Sequence, residues 1–289
     1  MNKFFISTDL TSDFPDSLKE DDFGIINMSY FMDNVLYDGV NTPYLSPKKF
    51  FEKLRGGSLS QTSMVTSDQV IAFFRPALEK GMDVLHLSFA SVLSGNYNSC
   101  IAAQKKLAQE FPKRKIIIMD TFSAGMGLGL LSYYTLRARA QGKSIDECAK
   151  YADELKNNIV HLFTVDDMFH LYRGGRVSKG AAILGSVIQL KPVLYQDIDG
   201  YLKVLSKTIG KKPALRYMLD KMIQKIKGYD NEVVFIGHGD AYDEAAWLAK
   251  KITEKTGITN IVLNNVGPVI GTHVGAGLIS LFFVGCDRS

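Results

Sequence analysis

The strongest constraint on this chain is a rhythm. Between residues 83 and 165, three apolar runs of strand length (Asp83–Ser88, Lys115–Met119 and Ile159–Val165) are separated by helical patterns over Tyr97–Phe111 and Ala124–Ala140 and by a third that Ser144 and Glu147 open in capping-box register. Strands that alternate with helices build βαβ units, so the chain is α/β rather than all-helical or a β-sandwich.

The flanking segments extend the pattern. Lys3–Thr8 reads as a buried first strand, and Ile25–Met32 with Val35–Tyr37 as a hairpin across Asp33-Asn34, a dipeptide that tolerates positive φ. Ser46-Pro47 starts a helix, and Gly56–Thr66 is a hydroxyl-rich loop that Met64 and Val65 should pin down by packing. Thr66 and Gln69 then cap a helix that Pro76 is expected to kink or divide. After residue 160 the character changes: strands Lys191–Ile198 and Tyr201–Lys207 flank Asp199-Gly200, a hairpin signal that makes this part of the sheet antiparallel. Helices over Lys211–Lys227 and Asp243–Thr256, with strands over Glu232–Ile236, Asn260–Leu263 and Gly277–Val284, complete a second α/β unit. With 289 residues, more than a single core usually holds, two domains are expected, 1–160 and 161–289.

Composition removes several function classes. Thirty-four basic against 30 acidic residues leave a net charge of +4, too weak and dispersed for a nucleic-acid surface. Cys100, Cys148 and Cys286 are odd in number and far apart, which excludes a disulfide framework or a CxxC metal knuckle and suits a reducing cytosol. The start of the chain reads as a strand and not a signal peptide, and the longest apolar segment, Ala276–Cys286, is too short to span a bilayer.

Chemistry is concentrated in the loops. The strand Asp83–Ser88 runs into small hydroxyl residues and then Ser94-Gly95, just before a helix. The first amides of a helix have no internal partner and carry the positive end of its dipole, so Ser94 and Gly95 suit an anion; Ser94 serves equally well as a plain N-cap. Asp9 and Asp13 follow the first strand, where ligand crevices of open α/β sheets lie, and are also ordinary turn residues. His273 sits among four glycines in Gly267–Gly277, which fits a ligand-facing imidazole or a tight turn. His86, His161 and His170 are read as structural. Gly125, Gly127 and Gly129 miss the dinucleotide fingerprint because its third glycine falls on Leu130; the Gly142-Lys143-Ser144 P-loop ending lacks its earlier glycine, and no G-x-S-x-G elbow is present.

Taken in order, six segments resemble the DegV family of bacterial fatty-acid-binding proteins, the lipid-carrying subunits of fatty acid kinase complexes. They are Thr8–Asp13, Thr62-Ser63-Met64, Leu93–Tyr97, Asp120–Ala124, Leu171–Arg176 and Gly267–Gly277. Leu10, Met64, Asn96, Ile209 and Ala276 depart from the family pattern, whereas Thr62, Ser94 and His273 keep it.

The resemblance implies an N-terminal three-layer α/β/α domain with a mainly parallel sheet, a C-terminal α/β domain with a mixed sheet, and a long-chain fatty acid between them. It implies that Thr62, Ser94, Gly95 and His273 hold the carboxylate, with Asp9, Ser63, Ser91, Thr121, Ser123, Gly271 and Thr272 lining the site. A separate kinase subunit would phosphorylate the carboxylate to an acyl phosphate, docking at Arg173, Arg176 and Lys179. No metal or cofactor is implied, and the chain would be no enzyme alone. The tail is expected in an apolar tunnel lined mainly by the second domain, with Ile183, Leu184, Val187 and Ile188 at helical spacing. The rival reading is an acyl hydrolase or transferase with Ser94 as nucleophile and His273 as base.

Overall fold

The computed structural model describes residues 4–179 and 190–288. Strands β1 (Phe4–Asp9), β2 (Phe23–Ile26), β6 (Asp83–Ser88) and β7 (Ile116–Asp120) form a wholly parallel sheet in the order β2-β1-β6-β7. A six-stranded mixed sheet follows, built from β8 (Ile159–Thr164), β9 (Leu190–Gln196), β10 (Leu202–Ile209), β11 (Val234–His238), β12 (Ile261–Asn265) and β13 (Ile279–Val284), in the order β10-β9-β8-β13-β11-β12. This is the α/β architecture expected from the rhythm and the resemblance.

The period of two along the strands sets the layers. In β6, Leu85 and Leu87 face a core shared with helix α4 (Met126–Ala140), whereas Val84 joins the core beneath helices α2 (Ser67–Glu79) and α3 (Asn96–Glu110). In the second sheet Phe235 and Phe282 face α4, while Val234, Ile236, Leu281 and Phe283 face helices α7 (Lys211–Lys225) and α8 (Tyr242–Thr256). Helix α4, with its neighbour α5 (Ile145–Leu155), is therefore the layer between the two sheets, and α4 is buried around most of its circumference.

Its glycines make this possible. A Cβ at Gly127 would stand 2.1 Å from the His161 ring, and one at Gly129 would stand 2.7 Å from the Ser12 carbonyl oxygen. The motif that failed as a dinucleotide fingerprint is a packing surface.

Three local expectations change. The run Ile25–Met32 is cut at Asn27-Met28, so β2 enters the parallel sheet and β3 (Ser29–Met32) leaves it to pair with β4 (Val35–Tyr37), with Asp33 and Asn34 both at positive φ in the turn. The hydroxyl-rich loop contains a strand, β5 (Ser60–Ser63), paired antiparallel to β3; polar letters hid it, because its partner backbone and not its side chains hold it. Pro76 does not divide α2, since it lies near the helix end and both its ring and the Ala72 position, whose carbonyl loses a partner, face solvent. The capping boxes at Thr66 and Ser144 form as expected.

Gly129→Ala should cost about 1–3 kcal/mol, because backbone and not a flexible side chain blocks the added methyl. Urea denaturation checks this, and an unchanged midpoint would overturn it.

Candidate functional site

The side chain of Thr62 reaches its place because β5 alternates. Ser60 and Thr62 share one strand face, and that face meets the short helix α9 (Pro268–Val274): Ser60 Oγ lies 2.8 Å from Thr272 Oγ1, and Thr62 Oγ1 lies 2.9 Å from His273 Nε2. The Gly267–Gly277 segment is thus partly helical. Gly271 within it packs against Phe50 and Phe51, where a Cβ would stand 2.7 Å from the Phe50 ring, so this glycine lets helices approach and not a ligand. On its other side the His273 ring rests on Gly174, whose missing side chain would lie 2.3 Å from Nδ1.

Helix α6 (Phe169–Arg173) ends in a Schellman turn: Gly175, at φ +74°, donates to the Tyr172 carbonyl at 2.8 Å and Arg176 N to the Leu171 carbonyl at 2.9 Å. The turn reverses the chain and separates two arginines that look alike in sequence. Arg173 stays exposed beside His170, whereas Arg176 folds inward and donates from Nε to the Leu93 carbonyl at 3.0 Å.

That bond anchors the residue next to Ser94. The Asn96 amide donates to Ser94 Oγ at 3.3 Å, Gly95 is the N-cap of α3, and Met64 covers Gly95. Behind them Asn96 is wholly buried and accepts from the Val65 amide at 3.2 Å, tying α3 to the end of β5. Asp9 accepts from the Phe89 amide at 3.0 Å and from Thr11, and burial pushes its carboxyl up despite those bonds. Asp13 accepts from the Gly267 amide at 2.7 Å, and burial, with the Asp9 charge adding, raises it well above the usual carboxylate range.

These elements enclose a cavity of about 820 Å³, counted out to and including its open mouth. Thr62, Ser94, His273 and Arg176 stand in its wall, which is otherwise mostly apolar, with Phe89, Leu93, Met126, Phe163, Val269 and Phe282 among the lining groups. Thr62, His273 and Arg176 also border an outer groove with Arg173 and Thr272, so the two spaces meet there. Burial, with Arg176 and His170 nearby, lowers the His273 pKa to about 4, so the imidazole is neutral at pH 7.

Three residues expected on a carboxylate, Thr62, Ser94 and His273, line this one cavity; Gly95 does not border it. Most expected lining residues sit behind it. Asp9 holds Phe89, Ser91 N donates to Asp120, Thr121 and Ser123 tie down the loop after β7, Ser63 bonds the Ser29 carbonyl, and Thr272 faces the outer groove. Both halves of the chain contribute to the apolar wall, and among the described residues the second contributes the larger share. Ile183, Leu184, Val187 and Ile188 lie outside the described residues, and Lys179 is exposed. Arg176 was missed as a wall residue, because no spacing rule tells it from Arg173. Among the described residues no helix is long and apolar enough to cross a membrane.

Gly174→Ala keeps an allowed helical backbone but pushes a methyl into the His273 ring. The variant should fold, with a stability loss of about 1 kcal/mol for the displaced Thr62–His273 bond, and lose at least about tenfold in ligand affinity; unchanged affinity in a titration would overturn the placement of His273.

The model of the DegV family, described as uncharacterised protein, matches residues 3–285. A DegV domain-containing protein of Clostridium perfringens is 38% identical over 287 residues, covering 99% of this chain and 98% of the relative. Among solved structures, a fatty-acid-binding DegV family protein of Thermus thermophilus superposes with a TM-score of 0.86 at 25% identity, over 99% of this chain and 100% of that one. The fatty acid kinase B3 protein of Streptococcus pneumoniae, solved loaded with linoleic acid, has a TM-score of 0.86 at 17% identity, over 98% and 100%. A family model that spans nearly the whole chain and a full-length relative at this identity agree with the cleft between the sheets: the chain belongs to the DegV family.

Proposed function

We propose that the chain carries a long-chain fatty acid between its halves, residues 1–160 and 161–289 taken as domains, and presents the carboxylate to a separate kinase subunit for conversion to an acyl phosphate. One observation carries the reading: an apolar cavity has a neutral Thr62–His273 pair, the Ser94 hydroxyl and Arg176 in its wall where it meets an outer groove. The fatty acids bound by the Thermus thermophilus and Streptococcus pneumoniae proteins support it.

A carboxylate accepts hydrogen bonds and donates none, so the groups around it must donate. Thr62 does so if its oxygen accepts from His273 Nε2–H, and this tautomer leaves Nδ1 as an acceptor, consistent with its lack of a partner among the described residues. The Ser94 hydroxyl, whose oxygen accepts from the Asn96 amide, adds a donor, and Arg176 supplies a positive charge near the pair. The acyl chain dominates affinity: about 14 methylenes at ~0.8 kcal/mol each give roughly 11 kcal/mol, an upper bound before ordering costs.

The hydrolase reading finds less support. The hydrogen bond of His273 goes to Thr62 and not to Ser94, and its Nδ1 has no orienting acid among the described residues. In the carrier reading the chain has no catalytic residue of its own.

Native mass spectrometry of purified protein should show a retained fatty acid. Ser94→Ala should lower affinity about 10- to 100-fold, the loss of one charge-assisted hydrogen bond, without unfolding the protein; unaltered affinity would remove Ser94 from the head-group site. Arg173, exposed on the outer groove with Lys179 nearby in sequence, is the proposed kinase contact, and Arg176 couples that face to the cavity. Arg173→Ala should leave fatty-acid affinity within about twofold and slow acyl phosphate formation below kinase saturation, more so with added salt. Equal rates for wild type and variant would return Arg173 to the solvated surface.

A further inference from the structure

The cavity wall holds polar groups besides Thr62, Ser94, Arg176 and His273. Along β13 alternate residues face the cavity, from Leu278 just before the strand, through Ser280, to Phe282. Phe282 is four residues past Leu278, a distance of about 13 Å at strand rise, and Leu278 itself follows α9. Across the sheet, Phe282 pairs with His161 on β8. One step beyond the Leu162–Tyr195 pair, the same register brings His161 opposite Gln196 on β9, and Gln196 pairs with Leu202 on β10. Phe282, His161, Gln196 and Leu202 thus form one row across three strand pairs, and all four line the cavity.

Two members of the row are polar and almost wholly buried. Gln196, 1% exposed, donates from Nε2 to the Gly200 carbonyl at 2.8 Å, which fixes the orientation of its amide. Its Oε1 is buried without a hydrogen-bond partner among the described residues. His161, 2% exposed, lies 2.7 Å through Nε2 from Nη2 of Arg288, which also bonds Ser123 Oγ at 2.8 Å and, through Nε, the Ile159 carbonyl at 3.2 Å. A guanidinium only donates, so Nε2 accepts and the ring proton sits on Nδ1, left over from that cluster. The row therefore offers an acceptor without a donor next to a neutral donor. A purely apolar acyl chain would leave Gln196 Oε1 buried and unpaired, an arrangement folded proteins generally avoid.

We propose that this row is a second polar subsite, which takes a hydroxyl carried on the acyl chain: Gln196 Oε1 accepts a hydrogen bond from the hydroxyl and His161 Nδ1–H donates to its oxygen. The inference rests on the fatty-acid reading and narrows it to oxygenated chains. A hydroxyl both donates and accepts, and so satisfies both groups at once; a double bond or a methyl satisfies neither.

The test is a titration of delipidated full-length protein with stearic acid and a positional series of monohydroxystearic acids. One isomer of the series should bind about tenfold more tightly than stearic acid, the worth of one buried hydrogen bond. Gln196→Leu should abolish that preference and leave stearic acid bound at least as tightly, because an apolar wall then faces an apolar chain. Stearic acid binding as tightly as every isomer in wild type would overturn the subsite, the row then serving a buried water only. Failure of all the acids, stearic acid included, would overturn the fatty-acid reading and the subsite together, whereas loss of the isomer preference alone leaves carriage standing. Should Gln196→Leu not fold, the isomer series on wild type decides the matter.

Discussion

Almost everything in this structure depends on burying helix α4 between two sheets. A helix packed on one face needs one apolar stripe; α4 packs against two sheets at once within a single core, and it is buried around most of its surface. Close packing on both sides leaves no room for side chains at the tightest approaches, which is why Gly127 meets the His161 ring and Gly129 the Ser12 carbonyl. The two halves of the chain are held at a separation set by this helix, and the cavity occupies the space beside its first turn, where Ala124, Gly125 and Met126 line the wall.

Parallel strands then decide where polar chemistry gathers. β1, β6 and β7 all point their C-terminal ends the same way, so the loops that follow them bring Asp9, the segment from Phe89 to Ser94 and the turn at Asp120–Ser123 to one edge. Buried polar groups there are made tolerable by dense hydrogen bonding: Thr121 Oγ1 to the Ser88 carbonyl at 2.7 Å, Asp120 to the Ser91 amide, Asp9 to the Phe89 amide. The opposite wall of the site comes from β5 and α9, more than 200 residues apart in the chain, as the Thr62–His273 and Ser60–Thr272 bonds record. The proposed carrier reading rests on this division of labour: hydroxyls, a neutral imidazole and Arg176 stand where the cavity meets the outer groove, and the rest of its wall is mostly apolar.

The sequence by itself determined the elements and the chemistry of the loops. Alternating apolar runs, capping boxes at Thr66 and Ser144 and the Asp33-Asn34 turn act within a few residues, so their outcome is legible from letters alone. Thr62, Ser94 and His273 were legible too, through motif spacing rather than physics, since nothing local says that they share a cavity. Tertiary structure alone decided the rest. β5 is a strand only because β3 offers it a backbone edge, and Gly127, Gly129 and Gly271 are packing surfaces only because His161, Ser12 and Phe50 arrive from elsewhere in the chain. Arg173 and Arg176 differ only after a Schellman turn has sent one to solvent and the other into the wall. Local propensity is a property of neighbours in sequence, whereas burial, pairing and the direction in which a side chain finally points belong to neighbours in space, which the one-dimensional string does not contain.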